Sequence, residues 1–254
     1  ETGAIKVHFF YDGMIEGNLI RNNYCNGIWL DNRWYRSRVS RNVVLNSRGQ
    51  GIFVEMGEGD CMVDNNIVAF TKQGDGIYLH DASGVTIAHN LLFANMHFGV
   101  YARIVTERML TDENGERIQS ATRDLKILNN IFIDNYRGQI CLPAEVNELT
   151  HNNTSDYNLF ISGTQWQWEG LGYNSFTLGW NDKRIPSDTL ASMLQSALEK
   201  NNIPRSKQPN YSVWKKQPLL NLEWWQKVTG NDIHSYAPGI HTGDHEKGTV
   251  AKGA

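Results

Sequence analysis

Over its first 160 residues the chain repeats one pattern of apolar and polar positions. Runs of three to five β-prone residues are separated by Asn, Gly or Asp, and the runs recur in register. Aligned on Asn18, Asn42, Asn66, Asn90 and Asn130, the segments read NLIRNN, NVVLNS, NIVAFT, NLLFAN and NIFIDN, with steps of 24, 24, 24 and 40 residues. An aliphatic residue precedes each Asn by three positions (Ile15, Val39, Val63, Ile87, Ile127), and Gly27, Gly51, Gly76, Gly99 and Gly138 form a second column. One such unit cannot bury its apolar side alone, so the units must stack. Three short strands per unit and no helical period predict an all-β, right-handed, single-stranded parallel β-helix of the pectate-lyase-like kind. A leucine-rich repeat would need spaced leucines and a helical segment. The Asn columns are expected to be structural, through left-handed turns and stacked hydrogen bonds, and the glycines to mark tight turns.

Period-2 alternation then sorts the phrases GIWLDN, GIFVEM, GIYLHD and GVYARI. Ile28, Ile52, Ile77 and Val100, with Leu30, Val54, Leu79 and Ala102, face inward. Trp29, Phe53, Tyr78 and Tyr101 therefore face outward, as do Asp31, Glu55, His80 and Arg103. The opening AIKVHF aligns as one more rung and puts Lys6 in the aromatic column and His8 in the charged one. Large aromatics on an outer face need something to cover them. Packing of the tail over this face would serve Trp29 and Phe53. It explains less well a column of two carboxylates, two imidazoles and a guanidinium.

Past residue 161 the repeat is lost. The expected organisation is a β-helix over 1–160, about six rungs with an insertion near 104–122, and a tail over 161–254 that packs on it or caps it. The tail pattern predicts a helix within SDTLASMLQSALEKNNIP and a second within LEWWQKVT, capped by Asn221 and stopped by Gly230. His234 is read as a packing residue. In the insertion, Asn114-Gly115 signals a hairpin, and Glu107, Arg108 and Arg117 are read as solvated loop charges able to reach a cleft.

Composition narrows the function. A net charge of −3 over 254 residues lacks the basic excess of a nucleic-acid binder. No apolar run is long enough to span a bilayer. Three cysteines without CxxC spacing indicate neither a disulfide framework nor a zinc site. No signal peptide is recognisable, and a secreted or periplasmic parent protein is expected. The first rung begins at the first residue, so a missing N-terminal β-helix segment or another chain is expected to cover it.

The candidate chemistry lies in the charged column. Asp31 and Glu55 occupy equivalent positions on adjacent rungs, so their backbones should lie about 4.8 Å apart. Carboxyls about 5–5.5 Å apart serve retaining glycosidases as nucleophile and acid/base. One of two such carboxyls is expected to have a raised pKa, as a proton donor requires. Asp31 is the expected nucleophile and Glu55, on its longer side chain, the donor, although spacing alone does not order them. Lys6, His8, Trp29, Tyr78, His80, Asp81, Tyr101 and Arg103 are the expected substrate-binding set, with Trp29 stacking on a sugar ring.

The segment ETGAIKVHF one rung before GIWLD, with Glu in GIFVE one rung later, resembles the β-helix core of glycoside hydrolase family 120 β-xylosidases over about residues 1–105. The resemblance implies a retaining hydrolase of xylose-containing saccharides, with Asp31 as nucleophile and Glu55 as acid/base. It also maps the family's site Lys onto Lys6 and an upstream Glu onto Glu1. Family members are longer and add a β-sandwich domain. Two other readings stay open. A β-helix polysaccharide lyase would use His80, Arg103 or Lys6 as base, with calcium held by Asp31, Glu55 and Asp81; calcium is possible but not indicated, and no other cofactor is expected. A non-catalytic carbohydrate-binding or structural β-helix would have Asp31 and Glu55 paired off, with no open cleft. The expected partner is an oligosaccharide or polysaccharide, and neither nucleic acid nor a membrane.

Overall fold

The computed structural model describes residues 2–105, 108–112, 114–145, 148–161, 176–179 and 220–238. Glu1, Glu107 and the expected first tail helix lie outside these.

The fold is a parallel β-solenoid of about six turns, with very little helix among the described residues. One sheet runs through Gly3–Val7, Asn26–Asp31, Ile52–Asp64, Ile77–Ala88, Phe98–Arg103, Gly138–Pro143 and Phe176–Gly179, each strand paired with the next. A second runs through Leu19–Arg21, Val43–Leu45, Ile67–Ala69, Leu91–Phe93, Ile131–Ile133 and Leu159–Ile161. Met14–Glu16 and Ser37–Ser40 pair on to the later halves of the long strands and supply the third side. The registers follow the sequence columns: Ile28 on Ile52, Ile52 on Ile77, Ile77 on Val100. Lys6 stands on Trp29 and Val7 on Leu30, so the opening segment is a rung. The inward columns, Ile28 to Val100 and Leu30 to Ala102, are completely buried and form one continuous core.

Asparagines hold the rungs in register. The backbone N–H and side-chain amide of Asn42 both donate to Asn66 Oδ1, at 2.9 and 3.0 Å, and the same amide donates to the Ile15 carbonyl. Asn66 repeats this on Asn90, Asn90 on Asn130 and Asn130 on Asn158. Burial of such amides is tolerable because every donor has a partner. The left-handed residues are not these asparagines but the ones just before them: Gly17, Arg41, Asn65, His89, Asn129 and Tyr157 all have φ between 54° and 67°.

The glycine column also differs from expectation. Gly27, Gly51, Gly76 and Gly99 are absent from the positive-φ positions. They are small because rungs meet there: a Cβ on Gly51 would lie 2.6 Å from the Gly76 carbonyl oxygen, and one on Gly76 2.7 Å from that of Gly99.

The pairing extends past residue 160, since Ile140, Cys141 and Leu142 pair with Phe176, Thr177 and Leu178. A helix over Leu222–Thr229 follows Asn221 and stops at the left-handed Gly230. It places Trp225 against the end of the core, fully buried and stacked on Phe176. Beyond it, Asp232 and Ser235 stand where another ladder asparagine would. Asn158 donates its amide to Asp232 Oδ1 at 3.0 Å and its N–H to Ser235 Oγ at 2.8 Å. His234 packs outside this cap, stacked on Tyr157 and 2.7 Å from Asp156.

Candidate functional site

The outward columns assemble as the alternation requires. Trp29 is level with Phe53, Phe53 with Tyr78 and Tyr78 with Tyr101; Asp31 is level with Glu55, Glu55 with His80 and His80 with Arg103. The rings cover one another: Trp29 and Phe53 stack at 4.9 Å, Phe53 and Tyr78 lie at 4.8 Å, and Tyr78 and Tyr101 at 5.4 Å. Trp29, Phe53 and Tyr78 are buried in a cluster separate from the core. Lys6 Nζ sits 3.5 Å over the Trp29 ring, a cation–π contact. The expected stacking of a sugar on Trp29 therefore meets a ring already flanked by Phe53 and Lys6. Burial raises the Tyr78 hydroxyl pKa to about 12 and raises that of Tyr101 as well.

The charged column divides into two groups of pairs. Asp31 Oδ2 is 2.9 Å from Lys6 Nζ and 3.1 Å from His8 Nε2. Glu55 Oε1 accepts from Arg108 at 2.9 Å and stands 3.3 Å from His80 Nδ1. Arg108, read from the sequence as a loop charge, thus belongs to the site. It comes from the insertion, whose strands Met109–Thr111 and Arg117–Gln119 form the expected hairpin. The Tyr35 hydroxyl donates to the Thr111 carbonyl at 2.8 Å and anchors that hairpin. Arg117 is exposed at its far strand.

Burial pushes the Glu55 pKa up, but the hydrogen bonds from His80 and Arg108 outweigh it and hold the carboxyl below its ordinary value. That is opposite to the raised value expected of a proton donor. The raised carboxyl in this region is Asp81, fully buried beside His80 and lifted by desolvation. One Asp81 oxygen accepts from Val105 N–H, and the other lies 3.2 Å from Arg108 without hydrogen-bond alignment.

Beside these pairs runs an open groove of about 590 Å³. Glu55, His80 and Arg103 form one wall; Tyr24, Arg48 and Gln73, from the turns before successive rungs, form the other. Tyr24 is 89% exposed, an aromatic face free at the rim. Sequence reasoning missed this second wall. Its only signal is that NNYCNG, NSRGQG and TKQGDG vary in side chain just ahead of the fixed glycines.

A family profile described as "Periplasmic copper-binding protein (NosD)" matches residues 2–167, well over half of the chain. The chain belongs to the NosD family. No curated protein and no solved structure matches this NosD-family chain. The resemblance to glycoside hydrolase family 120 thus rests on its sequence motifs alone.

The family description raises copper, which needs several His, Cys or Met donors around one point. Among the described residues no three His, Cys, Asp or Glu side chains converge in that way. Glu55, His80 and Asp81 come together, but the Arg108 guanidinium lies among them. Cys25, Cys61 and Cys141 are free thiols, and burial pushes Cys61 up to about 12. Among the described residues, the His, Cys, Asp and Glu side chains do not fit a copper ion. Asp31, Glu55 and Asp81 do not form a calcium cage either, since each is engaged by a cation of the chain.

Proposed function

We propose that this NosD-family β-helix is a non-catalytic saccharide-binding protein whose ligand lies in the groove beside the aromatic column. One observation carries the reading: both carboxylates of the charged column are held in ion pairs. The open polar groove beside them departs from the closed face expected of a non-catalytic β-helix and supplies the place for a ligand. A glycosidase needs one neutral carboxyl to protonate the leaving group. Glu55, with its lowered pKa and its hydrogen bonds from His80 and Arg108, is poorly suited to that task. The groove offers what saccharide recognition uses: amides, guanidinium groups and an exposed tyrosine ring. The family's description as periplasmic supports an envelope location for this chain.

The retaining-hydrolase reading keeps one observation in its favour, the register of Asp31 directly on Glu55. Calorimetric titration with neutral and acidic oligosaccharides, combined with assays for aryl β-xyloside hydrolysis and unsaturated uronate formation, decides between the readings. Binding without product is the expected result, with Tyr24→Ala weakening it. Product formation abolished by Glu55→Ala would establish catalysis instead, and a panel with no binder would refute the binding reading.

A further inference from the structure

We infer that the groove selects acidic saccharides, its ligand class being uronate-containing oligosaccharides whose carboxylates are taken by Arg48 and Arg103. The inference rests on the saccharide-binding reading and adds to it the charge of the ligand. Among the described residues Glu55 is the only carboxylate lining the groove, and the Arg108 guanidinium pairs with it. The two guanidinium groups that line it have only neutral partners among the described residues. Arg48 Nε donates to Gln73 Oε1 at 3.3 Å, and Arg103 Nη1 donates to the Tyr78 hydroxyl at 3.4 Å. Both contacts are long, and Arg103 Nε is buried without any partner. Two guanidinium groups without counter-ions in one groove create a field that favours an anion.

Guanidinium binds a planar carboxylate through paired N–H donors, a geometry that a neutral hydroxyl does not fill. Gln50 and Gln73, at the same wall, supply amide groups for the hydroxyls between successive carboxylates. The chain as a whole is weakly acidic, at −3, so general attraction of anions does not account for binding at this place.

The test compares tetragalacturonate with its carboxyl-reduced, neutral tetramer of equal length, titrated into the full chain at low and moderate salt. The acidic tetramer is expected to bind at least about tenfold more tightly, a preference that shrinks as salt rises. Arg48→Gln, on an exposed turn, and Arg103→Gln should each remove most of it while circular dichroism shows the fold intact. Equal binding of both tetramers overturns the acidic preference and leaves the binding reading standing. So does binding of the acidic tetramer that neither substitution changes. Binding of neither tetramer overturns both.

Discussion

Glu55 is held by two neighbours that reach it from different parts of the chain. His80 comes from the next rung, and Arg108 from the insertion 53 residues on. A carboxyl with a lowered folded pKa contributes stability that is fully present above the unfolded value, near 4.5. That stability is lost as pH falls through the lowered folded value. Asp81 has the opposite sign, since burial raises its pKa and its ionised form costs stability. Arg108 offsets part of that rise, so losing Arg108 adds to this cost at pH 7 and not where Asp81 is protonated. Arg108→Gln is therefore expected to cost about 1–3 kcal/mol at pH 7 and clearly less at pH 3, read by urea unfolding at both. Gly51→Ala tests a different residue-scale cause. Its methyl would press on the Gly76 carbonyl and the Val68 side chain, for a loss of about 1–3 kcal/mol in the same assay. The faces on which Ile28 and Asp31 lie were legible because a repeat gives each position a face. Arg108 was not, since the insertion interrupts the repeat and nothing in TERML tells a docked arginine from a solvated one.

Among the elements, the asparagine ladder and its terminal cap set the register. Asn66→Ala would remove the acceptor of the Asn42 N–H, leave the Asn42 amide only its bond to Ile15, and take the Asn66 amide from the Val39 carbonyl, while Asn90 Oδ1 keeps the Asn66 N–H. Each buried group left unpaired costs about 1–3 kcal/mol, so this variant should unfold far more readily than Asn18→Ala, which stands on the first rung and gives up fewer bonds. Asp232 closes the other end, accepting from Trp225 Nε1 at 2.8 Å, from Asn158 and from Ser235. Asp232→Ala should release that cap, and amide exchange should rise first in Thr154–Ile161 while Ile52–Asp64 stays protected. The ladder was readable as a spacing of 24. Its cap was not, because Asp232 and Ser235 lie over 70 residues from Asn158 and carry no repeat signature.

For the whole molecule, stacking brings the same strand position of successive rungs into one line, so a change of letter at that position builds a surface. The line Asp31, Glu55, His80, Arg103 was visible in the sequence as such a change. Its cationic partners at the first rung, Lys6 and His8, were legible too, but the pairing of Glu55 was not, because Arg108 reaches it from the insertion. The same holds for the groove, whose second wall comes from turns rather than strands. The most direct measurement is a calorimetric titration of the intact chain with tetragalacturonate, followed by product analysis of the same sample. Saturable heat with the oligosaccharide recovered at its original length is the predicted result. Recovery of shortened saccharides, abolished by Asp31→Ala or Glu55→Ala, would contradict it.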